Sequence, residues 1–420
     1  MASHPPSSIL HPSPRRSGAE AGRRILVRST NWLGDAVMTT PALLRLREKF
    51  PKAHIALLCP EKLRELWLNH PAVDEVISFA AGESVFGISK KLRRWGETPG
   101  EPGMANPSAA KTAREDARPT KFDLALVLPN SPRSALEVFL AGIPQRTGYA
   151  RPWRNFFLTQ TVTSRPEAVK MRKRTVAEIK RRTGVAPVSN IISQKSETGA
   201  TPVLRPTTHQ IHEYLHLAAA LGANPEPLAP HLAVTPEEIE SAKRKFGLEK
   251  ITGPIFGLNP GAEYGPAKRW PVEKFIVAAK QIQQQTDCTW LIFGGKGDVE
   301  LANRIATEIH PPSSIFHPQN LAGKTSLREL MALLKLCRVL LTNDTGPMHV
   351  AAALGTPVVV PFGSTSPELT GPGLPGDARH RLIKSDAPCS PCFLRECPID
   401  FRCMNGISVE RVVEAVLGAS

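Results

Sequence analysis

The sequence predicts an α/β protein made of two doubly wound, Rossmann-like domains facing a cleft. Three observations predict it. Strand-like and helix-like segments alternate in two separate series, the pattern of parallel sheets covered on both faces. Several apolar runs end in turns rich in Gly, Asp and Asn that lead straight into helical patterns, as at the ligand-binding edge of such sheets. At 420 residues the chain exceeds one ordinary domain and suits two of roughly 150 to 200 residues each.

The first 22 residues are rich in Pro and Ser and read as a disordered tail. Order begins at residues 24–28 (RILVR), a first strand, followed by a helical pattern that runs through Phe50 and is stopped by Pro51. Residues 54–59 (HIALLC) read as a strand, 63–69 as a helix and 73–79 as a strand. Residues 96–120 are rich in Gly, Pro, Ala and Ser and read as a flexible surface insertion, after which 122–129 (FDLALVLP) resumes the sheet. Residues 165–208 hold a basic stretch and then a polar one, read as a second insertion. Helical periodicity returns at 212–221, and the Pro-rich residues 224–236 lead toward the next domain. The second series has strands at 255–259, 289–293, 339–342 and 357–361. Helices are expected at 272–285, 299–309, 327–336, 349–354 and 409–417.

Hydrophobic residues make up 41% and charged residues 22%, which suits a globular protein and excludes wholesale disorder. No run of about 18 apolar residues occurs, so no membrane-spanning helix is expected. The N-terminus lacks the apolar core of a secretory signal. Seven cysteines do not make a disulfide scaffold, and a reducing cytoplasm is the expected compartment. The net charge of +15 sits mostly on the tail and insertions. Residues 1–24 hold four Arg and one Glu, 90–121 eight basic and four acidic residues, and 165–183 eight basic and two acidic. Solvated insertions are the plain reading. A polybasic stretch beside an anionic leaflet gains about 1 kcal/mol per Lys or Arg, so peripheral contact with a membrane also fits.

Three motifs carry chemistry. In VLLTNDTGPMH (339–349) a strand runs into Asp344-Thr345-Gly346-Pro347 and then directly into a helix. The exposed N–H groups of that helix start suit an anion such as a diphosphate, with Gly346 allowing close approach and the Thr345 hydroxyl available as a cap. Plain helix capping is the alternative. NPGAEYGPAKRWP (259–271) also lies between strand and helix, and offers Lys268 and Arg269 to phosphate; a charged surface loop is the alternative. In NWLGD (31–35), Asp35 stands where a carboxylate can reach into an interdomain cleft as a general base, or can serve as a dipole partner at a helix start.

Together these motifs resemble the ADP-heptose:lipopolysaccharide heptosyltransferase family. The likeness rests on GAEYGPAKRWP, TNDTGPMHVAAALGTPVV and NWLGDAVMTTPAL and covers nearly all of residues 24–385. It implies the two-domain GT-B glycosyltransferase fold and an inverting transfer of heptose from an ADP-heptose donor to the lipopolysaccharide inner core. No metal or other cofactor is implied for the transfer. Residues 23–235 would form the acceptor-binding domain, 250–405 the ADP-sugar-binding domain and 406–420 a C-terminal helix. By motif position, Asp35 would deprotonate the acceptor hydroxyl and Lys268 would neutralise the departing diphosphate. Asp344 would hold heptose hydroxyls, and Thr345 and Gly346 would donate N–H groups to phosphate. His349, one turn further, would join the donor site or simply pack in its helix. Gly294, Gly295, Lys296 and Asp298, at another strand end, would line the adenosine pocket. With the compartment and charge readings above, a cytoplasmic enzyme is expected, and the basic stretches would allow peripheral contact at the inner membrane's cytoplasmic face.

Cys389, Cys392, Cys397 and Cys403 fall in the order C-x2-C-x4-C-x5-C. Four thiols at this spacing can close a structural zinc site or bind an iron–sulfur cluster; plain thiols or a local disulfide are the alternative. Other functional readings are a transferase of the same family acting on a different core sugar or a protein, and a basic nucleic-acid-binding α/β protein. The last predicts aromatics interleaved with the basic runs, and residues 165–183 contain none, so no nucleic-acid partner is expected.

Overall fold

The computed structural model describes residues 22–95, 122–184, 206–309 and 317–420. The expected tail and the 96–120 insertion lie outside these residues, as does 185–205.

Twelve strands form two six-stranded parallel sheets. The first contains β1 (Arg24–Arg28), β2 (His54–Pro60), β3 (Glu75–Phe79), β4 (Leu124–Val127), β5 (Gln145–Tyr149) and β6 (Gln160–Val162) in the order β3-β2-β1-β4-β5-β6. The second contains β7 (Ile255–Asn259), β8 (Thr289–Ile292), β9 (Gln319–Asn320), β10 (Leu340–Thr342), β11 (Val358–Phe362) and β12 (Arg381–Lys384) in the order β12-β11-β10-β7-β8-β9. Each is the doubly wound order. Its strand sequence reverses once, between β1 and β4 in the first sheet and between β7 and β10 in the second, and such a reversal opens a crevice at the strands' C-terminal ends.

All three predicted motifs emerge at these reversals. NWLGD follows β1, the Lys268 loop follows β7, and Asp344 follows β10. The central strands are buried on both faces, which explains why they read as continuous apolar runs.

The predicted helix after β1 is in fact two, Leu33–Met38 and Thr40–Lys49. Pro41 has no N–H to continue the ladder, and the hydroxyls of Thr39 and Thr40 bond back to the carbonyls of Ala36 and Val37 at 2.6 and 2.8 Å.

Residues 165–184 are not a detached insertion. Val176–Thr183 forms a helix with a Thr175/Glu178 capping box, and Ile179 is buried in the hydrophobic cluster of the second half. Arg174 donates to the carbonyls of Cys389 at 3.0 Å and Pro388 at 3.3 Å, and its N–H bonds to that of Cys392 at 3.0 Å. This segment therefore straps the first half to the second.

Candidate active site between the two sheets

The loop leaving β1 is fixed from below. Arg28, buried, pairs with buried Glu137 at 2.7 Å and donates to the Ser29 carbonyl and to Asn31 Oδ1 at 2.6 and 3.0 Å. That fork sets the entry to the helix that carries Asp35 in its first turn. Asp35 Oδ1 accepts from Gln210 Nε2 at 3.2 Å, and the same amide donates to the Tyr214 hydroxyl at 2.8 Å. Burial pushes the Asp35 carboxyl up to about 6, against the opposing pull of Gln210 and of Lys268. Asp344 adds a smaller upward push. Lys268 and Asp344 belong to the second sheet, so Asp35 stands within electrostatic reach of the opposite half.

On its own side, Asp35 lines a cavity of about 780 Å³. The walls come from the ends of β1, β4 and β5, from the strap residues Ala168–Met171, and from Gln210, Glu213 and Tyr214, with Leu369 reaching in from the second half. Arg151, Arg165 and Lys170 are among its lining residues, Arg165 paired with Glu213 at 3.5 Å.

Across the gap, Lys268 Nζ lies 2.7 Å from Asp344 Oδ2, and that carboxylate also accepts from Thr365 Oγ1 at 2.5 Å. The Lys268 ammonium sits 5.0 Å above the Tyr264 ring. Asn343 staples the loop in place: its Oδ1 accepts from the Trp270 N–H at 2.9 Å and its Nδ2 donates to the Pro260 carbonyl at 2.7 Å. The helix Gly346–Ala353 starts at Thr345, whose side chain makes no capping bond, contrary to the expected hydroxyl cap. Its first-turn amides are therefore not engaged by that cap, as an anion site requires.

The two motif helices touch through glycines. A Cβ on Gly34 would lie 2.7 Å from His349 Cδ2, and one on Gly346 would lie 2.8 Å from Leu33. His349 is buried, and burial lowers its imidazole to about 4, so at neutral pH it packs between the halves as an uncharged ring.

Gly294, Gly295 and Asp298 gather at the end of β8 beside the Lys268 loop, where a Cβ on Gly261 would meet Asp298 Oδ2 at 2.5 Å. Asp298 Oδ2 accepts the Gly295 N–H at 3.0 Å, and Oδ1 lies 3.7 Å from Arg269. Asp298 thus organises this turn.

The four clustered cysteines do converge, around a small apolar void shared with Ile179 and Ala267. None forms a disulfide, and among the described residues no three His, Cys, Asp or Glu side chains are placed to share a metal ion. The zinc or iron–sulfur expectation therefore finds no support. Burial pushes Cys403 up to about 12 and raises Cys389 and Cys392, so these thiols stay protonated and pack. Cys389–Cys403 instead form a backing wall. The Tyr264 hydroxyl donates to the Phe393 carbonyl at 2.8 Å, and the Ala267 N–H donates to that of Arg395 at 2.9 Å.

Residues 176–401 match the family model for glycosyltransferase family 9 (heptosyltransferase). The chain is 30% identical over 379 residues to lipopolysaccharide heptosyltransferase 2 of Escherichia coli strain K12, covering 87% of this chain and 91% of that one. This chain belongs to glycosyltransferase family 9. It is a heptosyltransferase by family and has the GT-B fold, which sets aside the nucleic-acid-binding alternative. The solved structure of E. coli ADP-heptose lps heptosyltransferase II superposes with a TM-score of 0.67 at 27% identity, covering 94% of this chain and 98% of that one. A family 9 glycosyltransferase from Veillonella parvula shares the fold with a TM-score of 0.68 at 22% identity, covering 94% and 97%.

Sequence reasoning missed Gln210, Tyr214 and Thr365. Gln210 lies 175 residues from Asp35, and no local pattern ties them. Asn343 was legible in principle, being an amide at a strand end next to Asp344.

Proposed function

We propose that this family 9 enzyme transfers heptose from ADP-L-glycero-D-manno-heptose to the inner core of lipopolysaccharide, with inversion at the anomeric carbon. One observation carries the reading: Asp35, a carboxyl raised to about 6, stands between a large cavity on one side and the Lys268–Asp344 pair on the other. A base poised near neutral pH suits removal of a hydroxyl proton.

The acceptor sugar would occupy the cavity in the first domain, residues 23–235, and its hydroxyl proton would pass to Asp35. The acceptor oxygen would bond to the anomeric carbon as the bond from that carbon to the phosphate oxygen breaks. ADP would leave with the electron pair, its charge met by the Lys268 ammonium and the N–H groups of Thr345 and Gly346. Asp344 would aim Lys268 and hold heptose hydroxyls, and Gly294, Gly295 and Asp298 would border the adenosine in the second domain, residues 250–405. No cofactor takes part. The reaction belongs at the cytoplasmic face of the inner membrane, where the enzyme acts as a peripheral protein.

The test is mass spectrometry of truncated lipopolysaccharide acceptors after incubation with ADP-heptose. A gain of one heptose on an inner-core acceptor supports the reading; no product with any inner-core acceptor contradicts it.

A further inference from the structure

The layer covering one face of the first sheet carries an outer surface that the transfer chemistry does not use. Helix Val85–Arg94 packs against helix Pro132–Leu140, and the Phe139 ring of the latter lies 5.5 Å from Phe157 in the loop after β5. In that loop Arg154 is fully buried, while Trp153 and Phe156 on either side of it are 84% and 86% exposed. The buried arginine anchors the loop and leaves two aromatics projecting. Phe86, 71% exposed, adds a third on the first helix.

The same layer is basic. Lys90, Arg93 and Arg94 are exposed on the first helix, which packs on the second, and the Arg146 guanidinium lies 5.3 Å from the Phe139 ring of that second helix. Among the described residues of these two helices and the turn before the first, Glu83 pairs with Lys91 and Glu137 is buried between Arg28 and Arg133. Projecting Trp and Phe beside Arg and Lys is the chemistry of a membrane interface, where rings enter the headgroup region and cations meet anionic lipid. The surface also adjoins the acceptor cavity, since Arg151, two residues before Trp153, lines that cavity.

We propose that this face, with Trp153 and Phe156 at its tip, docks on an anionic phospholipid surface and sets the cavity mouth beside a lipid-linked acceptor. The proposal deepens the function proposed above, because it rests on the acceptor being membrane-borne.

The test is co-sedimentation of the full chain with vesicles, without any acceptor, so that its outcome is independent of the transfer assay. Vesicles of phosphatidylcholine with about 30% phosphatidylglycerol are compared with phosphatidylcholine alone. The native chain should bind the anionic vesicles, and binding should weaken as salt is raised. The double variant W153S/F156S, altered at exposed positions and melting as the native chain does, should bind about tenfold less, as should R93E/R94E. Unchanged binding by both variants would place the contact on other basic segments and overturn the proposal. So would a native chain that ignores both vesicle types, or a concentration-dependent dimer that W153S/F156S dissolves, which would make a second copy the occupant.

Discussion

The ammonium of Lys268 and the carboxylate of Asp344 lie 2.7 Å apart at the end of the second sheet, with side chains 14% and 4% exposed. Neither is idle in isolation. The lysine comes from a loop after β7 and the aspartate from the end of β10, so their pairing ties together the two loops at the switch point of the second sheet.

Replacing Lys268 with Ala should harm both binding and folding. Asp344 would keep only Thr365 while remaining buried, a loss of roughly 3 kcal/mol by the usual cost of breaking such a pair. Denaturant melts read that loss, and calorimetry should show ADP binding weakened by about a hundredfold. Native ADP affinity in the variant would exclude Lys268 from the diphosphate site.

The pH dependence follows from Asp35. Its carboxyl is raised from 3.8 to about 6, so the rate with limiting acceptor should fall below about pH 6 as the base is protonated. Gln210 pulls in the opposite direction, and Gln210→Leu should move that acid limb upward. The stability sign is fixed too. A raised carboxyl binds protons more tightly when folded, so its cost is absent below pH 3.8, grows as pH rises to about 6 and persists above. Asp35→Asn should therefore raise the melting temperature at pH 7.5 and give no such gain at pH 3.5. A pH-independent gain would contradict this assignment.

Gly34 reports on the seam between the halves. Gly34→Ala would drive a methyl to within 2.7 Å of His349 Cδ2, an overpacking worth about 1–3 kcal/mol. Turnover should drop at least tenfold, and the second change His349→Ala should restore part of it. Absence of any rescue would show that the methyl acts elsewhere.

The strap is tested at Arg174. Arg174→Ala removes bonds to the Cys389 and Pro388 carbonyls and should loosen the cavity wall formed by residues 168–171. The KM for acceptor should rise about tenfold, as expected for the loss of two charged hydrogen bonds that order a wall. ADP affinity should stay near native, and equal loss of both would mean that Arg174 merely supports the fold.

What could be read from the sequence divides along physical lines. The strand Ile255–Asn259 and the helices Val299–Ile309 and Leu327–Leu336 match their expected bounds, because a buried strand or amphipathic helix is written in local periodicity. Motif residues at strand ends were legible for the same reason. The helices at 85–94, 132–140 and 236–245 and the strand β12 went unread. Three of the four residues of β12 are exposed, so its apolar pattern is weak. Residues 165–184 looked like a solvated insertion because their composition is basic; their role comes from Ile179 and Arg174 meeting groups more than 200 residues away. The cysteines are the converse case. Their spacing left a metal site and plain thiols both open, and only their surroundings, an apolar void shared with Ile179 and Ala267, favour packing.

The most direct test is single-turnover transfer by Asp35→Asn, paired with calorimetric titration of ADP-heptose. The account predicts transfer slowed by at least about a thousandfold while donor affinity stays within about twofold of native, as befits loss of a base that touches only the acceptor. Transfer at a near-native rate would contradict it.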